Sequence, residues 1–159
     1  MRIPLLHPLN KKELNMNHYQ NILLAVDFTD HGQTVAQKAQ SLAEQFSAQL
    51  HIIHVLDNIP MPDTPYGTVI PLDEDSSDDL LEAEKNKFIR MSDQLGIAAE
   101  RRWLIWGEPQ QEIIRLAAQE RIDLIVAGSH GRHGLAVLMG STASGILYHV
   151  QCDVLAVHL

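Results

Sequence analysis

From Asn21 onward the chain alternates short apolar runs with longer stretches whose apolar residues recur every three or four positions. Ile22-Leu23-Leu24-Ala25-Val26 is apolar throughout, as a strand covered on both faces reads. Val35, Ala39, Leu42 and Phe46 follow at helical spacing and lay out one apolar face. Leu50–Leu56 predicts a second strand, Trp103–Trp106 a third, Ile122–Ala127 a fourth and Val154–Val157 a fifth. Leu81, Phe88, Met91 and Leu95 predict a second helix, with Ser77 as N-cap and Asp78, Asp79 and Glu82 in the dipole-favoured first turn. Ile113, Leu116, Ala117 and Glu120 outline a short third helix, and Ala143, Ile146, Leu147 and Val150 a fourth. Gly107-Glu108-Pro109 breaks the third strand, and Pro109 suits a first helical position, where a missing N–H costs nothing.

Strands and helices in alternation predict an α/β fold: an open, doubly wound parallel sheet with right-handed crossovers and helices on both faces. Ligands of such sheets sit beyond the carboxyl ends of the strands, near the switch in strand order. Those ends carry Asp27, Asp57, Gly107 and Gly128. Asn58–Ser76 is long for a crossover loop, which usually runs about 2–6 residues, and holds Pro60, Pro62, Pro65, Pro71 and the acids Asp73-Glu74-Asp75. It reads as a solvated insertion, with a lid or a partner-docking loop as the alternative. Met1–Asn15 lacks a sustained apolar period and a secretory pattern. It reads as a disordered leader or a misassigned start ahead of one domain over residues 16–159, or else as a docking arm.

Composition narrows this. The length of 159 residues suits one core, and 45% apolar with 20% charged residues is ordinary for a globular protein. No apolar run reaches the roughly 18–20 residues of a membrane span, so no membrane partner is expected. One cysteine, Cys152, excludes an intramolecular disulfide and fits a reducing, cytoplasmic compartment. The net charge of −8 argues against nucleic acid as a partner. That argument weakens once the charge is located: Asp63–Glu84 holds eight acids and no base. The acidic 58–84 segment is therefore where a protein partner could dock.

The densest chemistry follows the fourth strand, in Gly128-Ser129-His130-Gly131-Arg132-His133-Gly134 and on to Gly140-Ser141-Thr142. Glycines let a ligand approach bare backbone, successive N–H groups form an anion nest, and a helix start adds its positive dipole end. Ser141 and Thr142 add hydroxyls and Arg132 a positive charge. The pattern points to a phosphate site. It is not a P-loop, since no G-x-x-x-x-G-K-[ST] occurs, and no G-x-G-x-x-G follows the first strand. A phosphoacceptor receiver domain is excluded as well: the third strand ends in Trp106-Gly107, and no lysine follows Lys87.

These residues resemble the universal stress protein family. The resemblance rests on Ile22–Asp27, His54-Val55, Gly107-Glu108-Pro109, Asp123–Arg132, Gly140-Ser141 and Cys152–Val157. It implies a Rossmann-like, five-stranded parallel sheet of order 3-2-1-4-5 and a homodimer paired through the last strand. It also implies an ATP site built on G-x2-G-x9-G-[ST], matched here by Gly128, Gly131, Gly140 and Ser141, but with eight residues rather than nine between Gly131 and Gly140. Ala25, Val26 and Ala127 would line the nucleotide. Asp27 would accept a hydrogen bond from the ribose side; otherwise it is an N-cap or turn residue. Val55 would hold adenine through its backbone; otherwise it is core. Gly128, Gly131, Arg132, Gly140, Ser141 and Thr142 would surround phosphates bridged by Mg²⁺ or Mn²⁺.

The shortened loop keeps a nucleotide-free dimeric interaction module open as the alternative. An enzyme is not expected: no carboxylate follows the glycine loop until Asp153, and no nucleophile signature occurs, so ATP hydrolysis would be slow at most. A small nucleotidyl-transfer enzyme would need a serine- and glycine-rich loop after the first strand, where Phe28-Thr29-Asp30-His31 stands instead. The nine histidines do not form a metal pattern; His51 and His54, three apart on a strand, point to opposite faces. Cys152 reads as packing at the start of the last strand rather than as a nucleophile.

Overall fold

A computed structural model of the chain describes residues 18–28, 31–129 and 150–158. The leader Met1–Asn15, the helix expected over Ala143–Val150 and the glycine loop from His130 onward lie outside the described residues, apart from Val150 itself. Six strands form one sheet: β1 (Asn21–Ala25), β2 (Gln49–Leu56), β3 (Thr68–Val69), β4 (Arg102–Trp106), β5 (Leu124–Gly128) and β6 (Asp153–Val157). Their order is β3-β4-β2-β1-β5-β6. Five of them run parallel in the expected 3-2-1-4-5 order, and β3 adds a sixth, pairing antiparallel with β4 through Thr68↔Trp106 and Val69↔Ile105.

The alternation of side chains along the strands builds two cores. Ile22, Leu24, Val26, Ile52 and Leu104 face one layer, where helix α1 (Gly32–Phe46) supplies Val35, Ala36 and Ala39 and helix α2 (Asp79–Gln94) supplies Leu81 and Phe88. Leu23, Ala25, Ile53, Val55 and Ile105 face the other, against Ile113, Leu116 and Ala117 of helix α3 (Pro109–Gln119). The helices therefore cover both faces, as the periodicity predicts. A 3₁₀ turn, Ala99–Arg101, leads into β4.

Boundaries shift where backbone bonding decides them. Val26 stands just past β1, yet its N–H still donates to the Ile53 carbonyl at 3.0 Å. β5 starts at Leu124 rather than Ile122 and runs on through Gly128. The N-cap of α2 is Asp78, not Ser77: its carboxylate accepts from the Leu80 and Leu81 amides at 2.9 and 3.1 Å. Two amides per cap favour the residue with the more accepting side chain. Glu108 caps α3 in the same way, with Pro109 next in its first turn.

The expectation of a solvated insertion over Asn58–Ser76 holds for most of its residues but not for the points that tie it to the sheet. Ile59 and Ile70 are 3% and 7% exposed and belong to the core. The Gly67 amide donates to the Trp106 carbonyl at 2.6 Å, Ile70 N–H to Leu104 at 2.8 Å, and the Trp106 indole to Thr64 at 3.0 Å. A strand edge offers a row of unmet backbone groups, and this segment supplies partners for those of β4. At the sheet's amino edge, Asp123 accepts from the Gln20 and Asn21 amides, and Asp153 from the Tyr19 hydroxyl at 2.6 Å. That bond is the main cause pushing the Tyr19 phenol up to about 12.

Candidate functional site

β1 lies between β2 and β5, so the strand order switches beside it. A crevice forms at such a switch because the crossovers leave to opposite sides. Three strand ends border it: Ala25, Val26 and Asp27 after β1, Val55 to Asp57 after β2, and Ala127, Gly128 and Ser129 after β5. Ala25 is 3% exposed, Val26 2%, Val55 1% and Ala127 0%, so these side chains are core, and any ligand would meet their backbone. Asp27 is half-buried and does not cap α1, whose N-cap is His31. Gly128 is the last residue of β5, opposite Val157, and the Ser129 amide donates to the Val157 carbonyl at 2.9 Å. The Ser129 hydroxyl is buried and has no hydrogen-bond partner among the described residues. Gly131, Arg132, Gly140, Ser141 and Thr142 lie outside the described residues, as do His130 and His133.

Residues that the pattern alone did not mark surround the β1 and β2 ends. His54 is 5% exposed. Its Nδ1 lies 2.8 Å from the Val26 carbonyl and its Nε2 3.2 Å from Glu84 on α2. That bond is the main cause holding the Glu84 carboxyl down at about 2, helped by Lys87 and opposed by burial. Phe28 sits edge-on to the His54 ring, centroids 4.6 Å apart, with φ at 55°. A bulky residue adopts the left-handed region only where its surroundings hold it there. The clue in the sequence was the position of His54, one residue before Val55; its partner thirty residues on was not readable.

A second cluster stands at the end of β4. Glu112 of α3 is 5% exposed and bonded to Arg115, which also donates to the Gly67 carbonyl at 3.3 Å. Burial pushes the Glu112 carboxyl up while Arg115 pulls it down. Gly107 makes room for it: a Cβ there would come within 2.8 Å of Glu112 Cγ. On α2, Lys85 bonds Glu82 at 2.6 Å and also the Glu74 carbonyl, tying part of the acidic segment to the helix.

His51 and His54 do point to opposite faces: Glu84 of α2 meets His54, whereas burial, with opposing effects from Glu120 and Arg101, pushes the His51 ring down. Cys152 precedes β6 instead of opening it, and is half-buried. Burial pushes its thiol up to about 11, away from thiolate chemistry. Among the described residues no group of three or more His, Cys, Asp or Glu side chains could hold a metal ion. Among the described residues no helix is long and apolar enough to cross a membrane.

The family model of the universal stress protein family matches residues 18–158. The chain belongs to this family. The family member universal stress protein A homolog 2 of Coxiella burnetii is 33% identical over 145 residues, which cover 91% of this chain and 98% of that one. Two solved structures share the fold. A universal stress protein in complex with cAMP aligns at TM-score 0.54 and 22% identity, over 89% of this chain and 98% of that chain. The protein MJ0577 aligns at TM-score 0.62 and 21% identity, over 89% and 96%. Their Rossmann-like α/β arrangement agrees with the sheet described above.

Proposed function

We propose that this universal stress protein binds an adenine nucleotide, ATP, at the carboxyl edge between β1, β2 and β5, and acts as a cytoplasmic homodimer joined through β6. The observation that carries the reading is the switch in strand order, which brings Asp27, Val55 and Gly128 to one edge, with a glycine-rich sequence following Gly128. The Ser129 hydroxyl, without a partner among the described residues, gives that edge a donor, and a protein of the same fold carries cAMP in its crystal structure. Asp27 would meet the ribose and Val55 the base, with Gly128 and the loop beyond it at the phosphates. Mg²⁺ or Mn²⁺ would enter with those phosphates. Binding here serves as a signal or a stabilising ligand rather than as a step in catalysis.

Native mass spectrometry of the freshly purified chain tests this. Mass added by an adenine nucleotide, and doubled for a dimer, is the expected result. Absence of binding at millimolar ATP with Mg²⁺ would overturn it. A steady-state hydrolysis rate above about 1 s⁻¹, the low end of ordinary enzymes, would overturn the non-enzymatic part. The loop from Gly131 to Gly140, one residue shorter than the ATP-binding pattern, favours a second reading: a nucleotide-free interaction module working through its dimer surface or its acidic 58–84 segment. In that case Gly140→Ala leaves activity in cells unchanged, while altering the 58–84 surface abolishes it.

A further inference from the structure

We infer that the loop over the β4 edge is a docking surface for a basic segment of another protein, taking an arginine side chain onto Tyr66. The inference deepens the reading of the 58–84 segment as an interaction surface and requires nothing of the nucleotide site. At the carboxyl end of β4 an open groove of about 380 Å³ is lined by Pro60, Met61, Pro62, Thr64, Tyr66 and Trp106. Tyr66 is 69% exposed and stands edge-on to Trp106, ring centroids 5.7 Å apart. A large aromatic side chain left in water forgoes the free energy of burial, so one exposed beside an apolar groove marks a contact surface. The Trp106 indole N–H is already given to the Thr64 carbonyl. What that ring adds to the groove is therefore apolar and π surface. The groove is also set before any partner arrives. The Thr64 N–H donates to the Met61 carbonyl at 3.0 Å, and the Thr68 hydroxyl to the Pro65 carbonyl at 2.7 Å. Pro60, Pro62 and Pro65 each fix φ, so little ordering entropy remains to be lost on binding.

Charge selects the partner. Asp63 is exposed between two lining residues, and Asp73, Glu74 and Asp75, also exposed, follow on the same segment. None of these carboxylates makes an ion pair among the described residues. The bases nearby are taken up: Arg115, which reaches Gly67, pairs with Glu112, Lys85 with Glu82, and Lys87 with Glu84. The surface therefore keeps its negative charge. It repels the phosphates of nucleic acid and a second copy of the same face, and it attracts lysine and arginine. Of these two, arginine fits better. Its planar guanidinium stacks on an aromatic face, its stem lies along apolar surface, and its N–H groups reach a carboxylate. Tyr66, Met61 with Pro62, and Asp63 offer those surfaces on one short loop.

Selection of short random peptides, displayed on phage, against the full nucleotide-free chain tests this. Arginine is expected to be enriched in the selected sequences. Synthetic peptides taken from the selection are then titrated by fluorescence anisotropy. Tyr66→Ser is expected to weaken their binding about tenfold or more, and Asp63→Asn about threefold. Raising the salt from about 0.05 to 0.5 M is expected to shrink the Asp63 effect. Both side chains are exposed, so an unchanged urea midpoint shows that each variant keeps its fold. Selected peptides without an arginine preference, or binding unmoved by Tyr66→Ser, would overturn the inference. A dimer lost in Tyr66→Ser would make this face an interface between copies of the chain and overturn it too. A chain that binds ATP but no arginine peptide would sink the docking surface alone, and one that binds the peptide but no ATP would sink the nucleotide reading alone.

Discussion

At one edge of the sheet β4 is covered by its own chain: β3 pairs with it, Thr64 takes the Trp106 indole, and Arg115 reaches Gly67 from α3. At the other edge Val154, Leu155 and Ala156 of β6 are half-exposed, and among the described residues β6 pairs with β5 alone. Open edges invite pairing with another chain, and proteins usually blunt them. Here the acidic, proline-bearing segment blunts the first edge, which leaves β6 as the edge where the proposed homodimer would pair. The long insertion is thus explained by what it covers.

The comparison can be broken most sharply at Trp106. Trp106→Ala removes a side chain only 8% exposed together with its bond to Thr64, and is expected to cost about 3–5 kcal/mol in urea denaturation. A loss below about 1 kcal/mol, the size of an ordinary surface change, would mean that the covered edge is not held by this strap. Arg115→Ala comes next. It strips the charge partner from buried Glu112 and the donor from Gly67, with an expected loss of about 1.5–3 kcal/mol by the same measurement. Protease cleavage in the 58–70 stretch should rise in parallel.

A smaller effect comes from pH. Glu84 is depressed from an ordinary 4.5 to about 2 in the folded chain, so its contribution is full above 4.5 and fades as pH falls toward 2. Discounted for its partial exposure, that contribution is about 1–2 kcal/mol. Denaturation midpoints should fall between pH 5 and 3 for the wild type and less steeply for Glu84→Gln; identical slopes would contradict the bond to His54. Smallest in stability is Val154→Lys on β6, expected to shift stability by less than about 1 kcal/mol while sedimentation shows a dimer becoming a monomer. A dimer that survives the lysine would place the interface elsewhere.

Much of this fold was legible because the covered strands carry their own signature. Ile22–Val26 and Leu124–Ala127 are apolar without a break, and burial on both faces is the reason. Spacing found Val35, Ala39, Phe88 and Ile113, all buried as expected. β3 escaped because two residues between Pro65 and Pro71 carry no period; the edge of β4 makes them a strand. Asp78 and Ser77 were both competent caps, and only the positions of the Leu80 and Leu81 amides distinguish them. At the candidate site the strand ends could be read and their supports could not. His54 and Glu84 meet across a fold, and Glu112 is buried because Gly107 leaves space beside it. Sequence spacing records neither contact.

The central claim concerns the carboxyl edge, and titrating ATP with Mg²⁺ into the ¹⁵N-labelled chain tests it most directly. The account predicts that the largest amide shifts fall on Ala25–Asp27, Val55, Ala127–Ser129 and the glycine sequence that follows, and that Asp27→Ala weakens the binding. Saturating ATP that leaves those amides unmoved, or moves only residues far from that edge, would contradict it.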